Sequence, residues 1–96
     1  MEDRDKKKAR QRANAAEKRR VLNEYKLEKG CVDCGYNADY RALEFDHLPE
    51  YVKVNNVMAL TYASWTAIWN EVDKCEVVCA NCHAIRTSSR RQDSSV

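Results

Sequence analysis

Long apolar runs are missing from this chain. The most apolar-leaning stretch, Val57 to Trp69, contains Thr61, Ser64 and Thr66 and is too short and too polar to span a bilayer. The N-terminal residues are charged, so no apolar targeting segment is visible. Glycine occurs twice and proline once in 96 residues, and neither falls between residues 2 and 28. Nothing in that stretch interrupts a helix, and its frequent alanines favour one. Histidine also occurs only twice, so imidazole chemistry has to use His47 or His83. A chain of this length makes one small domain with a thin core. Such domains often need a metal, a disulfide or a partner to stay folded.

Five cysteines are present. Without a leader they argue against a secreted disulfide scaffold and for a reducing compartment, here the cytoplasm. Four of them form two CxxC pairs, Cys31-Val32-Asp33-Cys34 and Cys79-Ala80-Asn81-Cys82, separated by forty-four residues. Two such pairs have the spacing of a closed tetrahedral zinc site. A redox CxxC is the competing reading, but that motif normally follows a strand in a longer α/β chain. Cys75 lies in an apolar run and reads as a buried structural thiol. Four thiolates complete a zinc shell, which leaves His83 free for other work. The alternative is three thiolates with the His83 imidazole.

The net charge of +2 hides an asymmetry: residues 1–30 carry eleven Lys/Arg against six Asp/Glu, and residues 31–96 carry six against nine. The first segment is therefore at +5 and the second at −3. Lys6, Lys7, Lys8, Arg10 and Arg12 suit a polyanion, because cations that neutralise phosphates release counterions. A solvated helix of mixed charge is the alternative.

Residues 2–28 are predicted as one helix stopped by Gly30, with Ala15, Val21, Leu22 and Tyr25 on its packing side. Its first dozen residues have no apolar stripe and are expected to fray alone. Arg41 to Leu48 is a short strand ended by Pro49, with Leu43, Phe45 and His47 on one side and Glu44 and Asp46 on the other. Asp46 and His47 can share a site only if the strand bends there. Asn55-Asn56 are candidate caps for one or two helical turns over Val57–Tyr62. Ser64 caps a helix in which Trp65, Ile68, Trp69 and Val72 follow helical spacing. Cys75–Val78 is a second strand and Ala80–Ser88 a short helix. Arg86, three residues past His83, is a candidate phosphate contact. Ser89–Val96 is polar and expected to be disordered.

Cys31-x2-Cys34-Gly35, then Leu43-Glu44-Phe45-Asp46-His47, then Lys74-Cys75-Glu76-Val77-Val78-Cys79-Ala80-Asn81-Cys82-His83 with Arg86-Thr87, resembles the HNH endonucleases, in particular small phage and prophage HNH proteins. The resemblance covers about residues 30–88. It implies an α+β fold, a zinc-braced ββα-metal (HNH, or His-Me finger) domain at 30–88; by composition, a basic helical arm at 1–29 precedes it and a disordered tail at 89–96 follows.

By the same resemblance Cys31, Cys34, Cys79 and Cys82 hold structural Zn²⁺, and His47 is the general base. Asp46 and His83 hold a catalytic cation such as Mg²⁺, Mn²⁺ or Ni²⁺. The implied activity is metal-dependent cleavage of DNA phosphodiesters, in a bacterial host if the chain is phage-encoded. A second copy of the chain, or phage packaging or replication machinery, would be further partners. A zinc-braced module that grips DNA without cutting it is the alternative function. The family's middle Asn has no clear counterpart: Lys74 stands five residues before Cys79, and Asn70 lies further up the helix.

Overall fold

A computed structural model describes residues 4–94, with the side chains of 92–94 left aside. Five main elements follow in order: α1 (Arg4–Lys29), β1 (Leu43–His47), α2 (Trp65–Val72), β2 (Cys75–Cys79) and α3 (Ala80–Ser94). Short 3₁₀ turns at Tyr40–Ala42 and Val57–Leu60 lie in the connections. The fold is α+β. Among the described residues no helix is long and apolar enough to cross a membrane.

β1 and β2 pair antiparallel, with Leu43 opposite Cys79, Phe45 opposite Val77 and His47 opposite Cys75. Side chains alternate across a sheet, so these pairs share one face, and Glu44, Asp46, Glu76 and Val78 share the other. The first face meets α1 and α2; α3 lies across the second. Strand β1 stays paired through its end, and the Leu48 N–H still reaches the Lys74 carbonyl at 2.9 Å. No bend brings Asp46 and His47 to one face.

Helix α1 docks by its C-terminal half. Ala15, Leu22 and Lys26 are buried, and the Tyr25 ring stacks on Phe45 and tilts against Trp69. Leu22 packs with Val57, Ile68 and Val72 in one core cluster, while Cys31, Leu43, Val77, Val78 and Cys79 form a second. The Lys26 ammonium lies over the Tyr40 and Phe45 rings, and burial lowers its pKa against the pull of Glu44. Residues 4–14 are helical but exposed throughout. Fraying was the expectation there. The docked half supplies the nucleus, after which each added turn costs little, and no glycine or proline stops the propagation. Residues 1–3 lie outside the described ones.

Ser64 caps α2 by accepting the Ala67 N–H at 3.2 Å, as its position before the apolar stripe predicts. Asn56 precedes the Val57–Leu60 turn but makes no side-chain cap. The last helix differs most from the sequence expectation: α3 does not stop at Ser88 but runs to Ser94, through most of the segment expected to be disordered. Its face His83, Arg86, Arg90 has helical spacing, and ion pairs to the sheet hold the polar extension. Residues 95 and 96 lie outside the described ones.

Leu22 is fully buried and joins α1 to α2. Leu22→Ala should lower unfolding stability by about 3 kcal/mol, measured by denaturant titration with zinc present. A change of a few tenths would mean that α1 is not part of the core.

Candidate functional site

The two knuckles converge from different parts of the chain. Gly30, at φ +67°, ends α1, and an added Cβ there would press on Asn37 at 3.3 Å. Gly35, at φ +82°, closes the first knuckle, with its N–H on the Cys31 carbonyl at 2.7 Å. The Val32 N–H bonds to the Val77 carbonyl at 2.9 Å, fastening this knuckle to β2. Cys79 ends β2, and Cys82 follows on the first turn of α3.

The ligand atoms of Cys31, Cys34, Cys79 and Cys82 all lie within 4.8 Å of one another, so these four residues could hold a metal ion. A tetrahedral zinc with Zn–S of about 2.3 Å needs sulfurs about 3.8 Å apart. Cys34 Sγ and Cys79 Sγ are 3.7 Å apart, and the Cys82 N–H points at Cys79 Sγ at 3.4 Å. Burial raises the Cys31 thiol, but backbone N–H groups of Cys79, Cys34 and Asp33 outweigh it and bring it to about 6. Cys82 is pushed up by its contact with Cys79 and by burial. Four thiols this close cannot all ionise without a cation to answer them, and the donor set fits zinc. His83 is outside this cluster. So is Cys75, whose Sγ donates to the Glu71 carbonyl and whose thiol is pushed up to about 11, first by burial.

On the α3 side of the sheet lies a second polar cluster, built on Asp46. This carboxylate is 2% exposed. Arg90 binds it with two nitrogens, both at 2.8 Å, Arg86 Nη1 at 2.9 Å, and His83 Nε2 lies 3.3 Å from Oδ1. His83 Nδ1 is 2.7 Å from Glu44 Oε1. Burial raises the Asp46 pKa, but Arg90 and Arg86 overcome it and hold the carboxyl below its usual range. Asp46 and His83 are thus brought together, as their assignment to one site requires. An open groove of about 420 Å³ runs along α3 beside them, over Ala80, Ala84 and Ser88.

Arg86 is not an open phosphate contact here. It grips Asp33 of the first knuckle with Nε and Nη2 at 2.7 Å each, and its Nη1 reaches Asp46 and, at 3.0 Å, Glu76. The reason is local: Asp33, Asp46 and Glu76 converge under this helix face, and a guanidinium can serve all three.

His47 faces the opposite way. Its Nε2 is 2.8 Å from Glu71 Oε2 on α2, and its side chain is only 12% exposed. Glu71 is itself buried and also binds the Val54 N–H and the Lys74 ammonium. The sequence reading missed Glu71 and Arg90. Each had a signal: Glu71 stands three residues after Ile68 on the core face of α2, and Arg90 seven after His83 on α3. Glu71 is a charged residue at a position that packing would otherwise reserve for an apolar one, and Arg90 continues the polar helix face of His83 and Arg86. Lys6, Lys7, Lys8, Arg10 and Arg12 lie on the exposed first half of α1.

Comparison with protein-family models, with curated proteins and with solved structures finds no match.

The purified protein should contain about one zinc per chain. Cys79→Ser should lose the metal and with it the fold, since a site of this kind contributes on the order of 10 kcal/mol of coupled folding energy. Cys75→Ser should keep the metal. Elemental analysis of the three proteins checks this; an intact fold without zinc would refute it.

Proposed function

We propose that the protein is a metal-dependent DNA endonuclease of the HNH kind. One observation carries the reading: Asp46 near the end of β1 and His83 at the start of α3 meet at 3.3 Å, and His83 directly follows Cys82 of the four-cysteine cluster. Two ligands held at about 2.1 Å and at right angles around an octahedral cation lie about 3 Å apart. The pair therefore fits a small divalent ion. Such an ion would stabilise charge on a scissile phosphate and its leaving oxygen. Asp46 would have to release part of its arginine shell to bind it, and the freed guanidinium hydrogens of Arg90 or Arg86 would then face the phosphate.

His47 stands beside Asp46 in sequence but on the other face of β1, so the bend expected from the sequence is absent and the two could serve one phosphodiester only from opposite sides of the strand's outer edge. A two-stranded sheet leaves one edge of each strand outside the ladder, and β2 uses its outer edge on Val32. A phosphodiester approaching the outer edge of β1 would have the Asp46–His83 pair to one side and His47 to the other. His47 would take the proton of the attacking water. The new P–O bond would form as the ester bond breaks, with the electron pair leaving on the departing oxygen.

Zinc-loaded protein should relax or linearise supercoiled plasmid with Mg²⁺, Mn²⁺ or Ni²⁺, and not when added cation is withheld or chelated. His47→Ala should lower cleavage by about a hundredfold or more while leaving DNA affinity nearly unchanged. His83→Ala should raise the cation concentration required and keep the zinc. If the wild type binds DNA but never cuts it under any cation, the chain is the non-catalytic binding module instead.

The arm supports the choice of a polyanionic substrate. Deleting residues 2–12 removes six Lys/Arg and three Asp/Glu. The slope of log affinity against log salt should fall by about two to four units, less than the roughly 0.9 per phosphate contact summed over all six. Affinities measured at several salt concentrations check this. An unchanged slope would make the arm a solvated face only.

A further inference from the structure

His47 meets a carboxylate that is fixed on every side. Glu71 is 3% exposed. Its Oε2 accepts the Val54 N–H at 3.0 Å and lies 2.8 Å from His47 Nε2; its Oε1 accepts the Lys74 ammonium at 2.9 Å. Lys74 is held in turn by the Val52 carbonyl at 2.8 Å. One carboxylate thus ties together the end of β1, the loop over it and the turn after α2.

Burial raises the Glu71 pKa, but the Lys74, Val54, His47 and Asn55 donors outweigh it and set the carboxyl at about 2. At working pH it is ionised and can only accept hydrogen bonds. The hydrogen between Glu71 and His47 therefore belongs to the imidazole, at Nε2. To act as a base the imidazole must carry a single hydrogen, and with that hydrogen on Nε2 toward Glu71 the lone pair falls on Nδ1.

We infer that Glu71 is the positioning residue for His47: it fixes the imidazole as its Nε2–H tautomer and leaves Nδ1 as the nitrogen that takes the proton of water. This rests on the endonuclease reading given above. The bond to a rigid acceptor also holds the ring plane, so that Nδ1 keeps one direction through the reaction. Lys74 neutralises Glu71 from the far side and keeps the carboxylate from drifting. The device places a buried acid behind a base, and its orienting group comes from α2 rather than from the segment just before the second knuckle.

A merely structural Glu71 would pin the loop without setting a tautomer, so the test reads the imidazole directly. Zinc-loaded, full-length protein carrying ¹⁵N-histidine is examined by long-range ¹H–¹⁵N correlation. With only two histidines, a His83→Ala spectrum assigns His47. The wild type should show a protonated Nε2 and a bare Nδ1. Glu71→Gln, folded as judged by zinc content and circular dichroism, should show mixed tautomers. Its kcat on plasmid should fall by about a hundredfold or more, with KM for DNA nearly unchanged. If Glu71→Gln does not fold, Glu71→Asp is read in its place: the shortened carboxylate should mix the tautomers and lower kcat with KM nearly unchanged, and an unchanged tautomer and kcat overturn the inference.

A wild-type Nδ1–H tautomer overturns the inference whether or not the protein cuts DNA. So does a folded Glu71→Gln with unchanged tautomer and kcat. A wild type that shows the Nε2–H form but cuts nothing under any cation overturns the endonuclease reading, and the catalytic part of this inference with it.

Discussion

Asp46 is an ionised group with almost no water around it, and the position of α3 follows from the need to answer that charge. An uncompensated carboxylate in this location would cost several kcal/mol. Arg86 and Arg90 supply the compensation from one helix face, and His83 adds a third contact from the same face. The helix therefore cannot slide along the sheet or rotate on it without stranding a charge. Hydrophobic packing fixes the other face of the sheet through Tyr25, Phe45 and Leu22, and it tolerates small shifts. The polar face carries the geometric precision.

The same network links the four-cysteine cluster to Asp46. Arg86 holds Asp33, which lies between Cys31 and Cys34, and with its remaining nitrogen it holds Asp46 and Glu76. A metal that sets the first knuckle also sets Asp33, and through Arg86 it sets the direction from which Asp46 is approached. Loss of the metal would release one end of that chain. A metal held by the four cysteines and the placement of Asp46 would thus belong to one mechanical arrangement, carried by charged hydrogen bonds of 2.7 to 3.0 Å.

Much of the fold was legible because local rules and tertiary needs agree. The CxxC spacing, Gly30, the Ser64 cap and the stripe from Trp65 to Val72 each have a local signature, and the elements lie where those signatures put them. The candidate site was legible in part. Asp46 and His83 are brought together, yet the sequence did not show that Asp46 would be clasped by two arginines. The missed features have one physical cause. Glu71 and Arg90 look like surface charges by composition, as do the inward partners of Arg86, which was expected to meet a phosphate; only tertiary contacts turn these groups inward. The residue pairs that decide this are far apart in the chain: Arg86 with Asp33, Arg90 with Asp46, Glu71 with His47. For the same reason the polar stretch after Ser88 continues as helix: Arg90 lies within it, and the ion pair fixes the backbone that composition leaves free.

Charge also explains why the chain separates its arm from its site. Around Arg86 and Arg90 stand Asp33, Asp46 and Glu76, with Glu44 joined through His83, so four carboxylates face two guanidinium groups. With His83 neutral that cluster is formally at −2, and by itself it repels a phosphodiester. On the proposed reading a divalent cation brings the cluster to neutrality, and a nucleic acid can approach only where the cation is present. The long-range attraction then has to come from elsewhere. On that reading it would come from residues 1–30 at +5, much of it on the exposed first half of α1. A site that was strongly basic itself would bind phosphates without metal and would compete with its own cation for Asp46. On the proposed reading, keeping the site acidic and the arm basic would make contact with a polyanion and readiness for chemistry two separate conditions, each set by different residues.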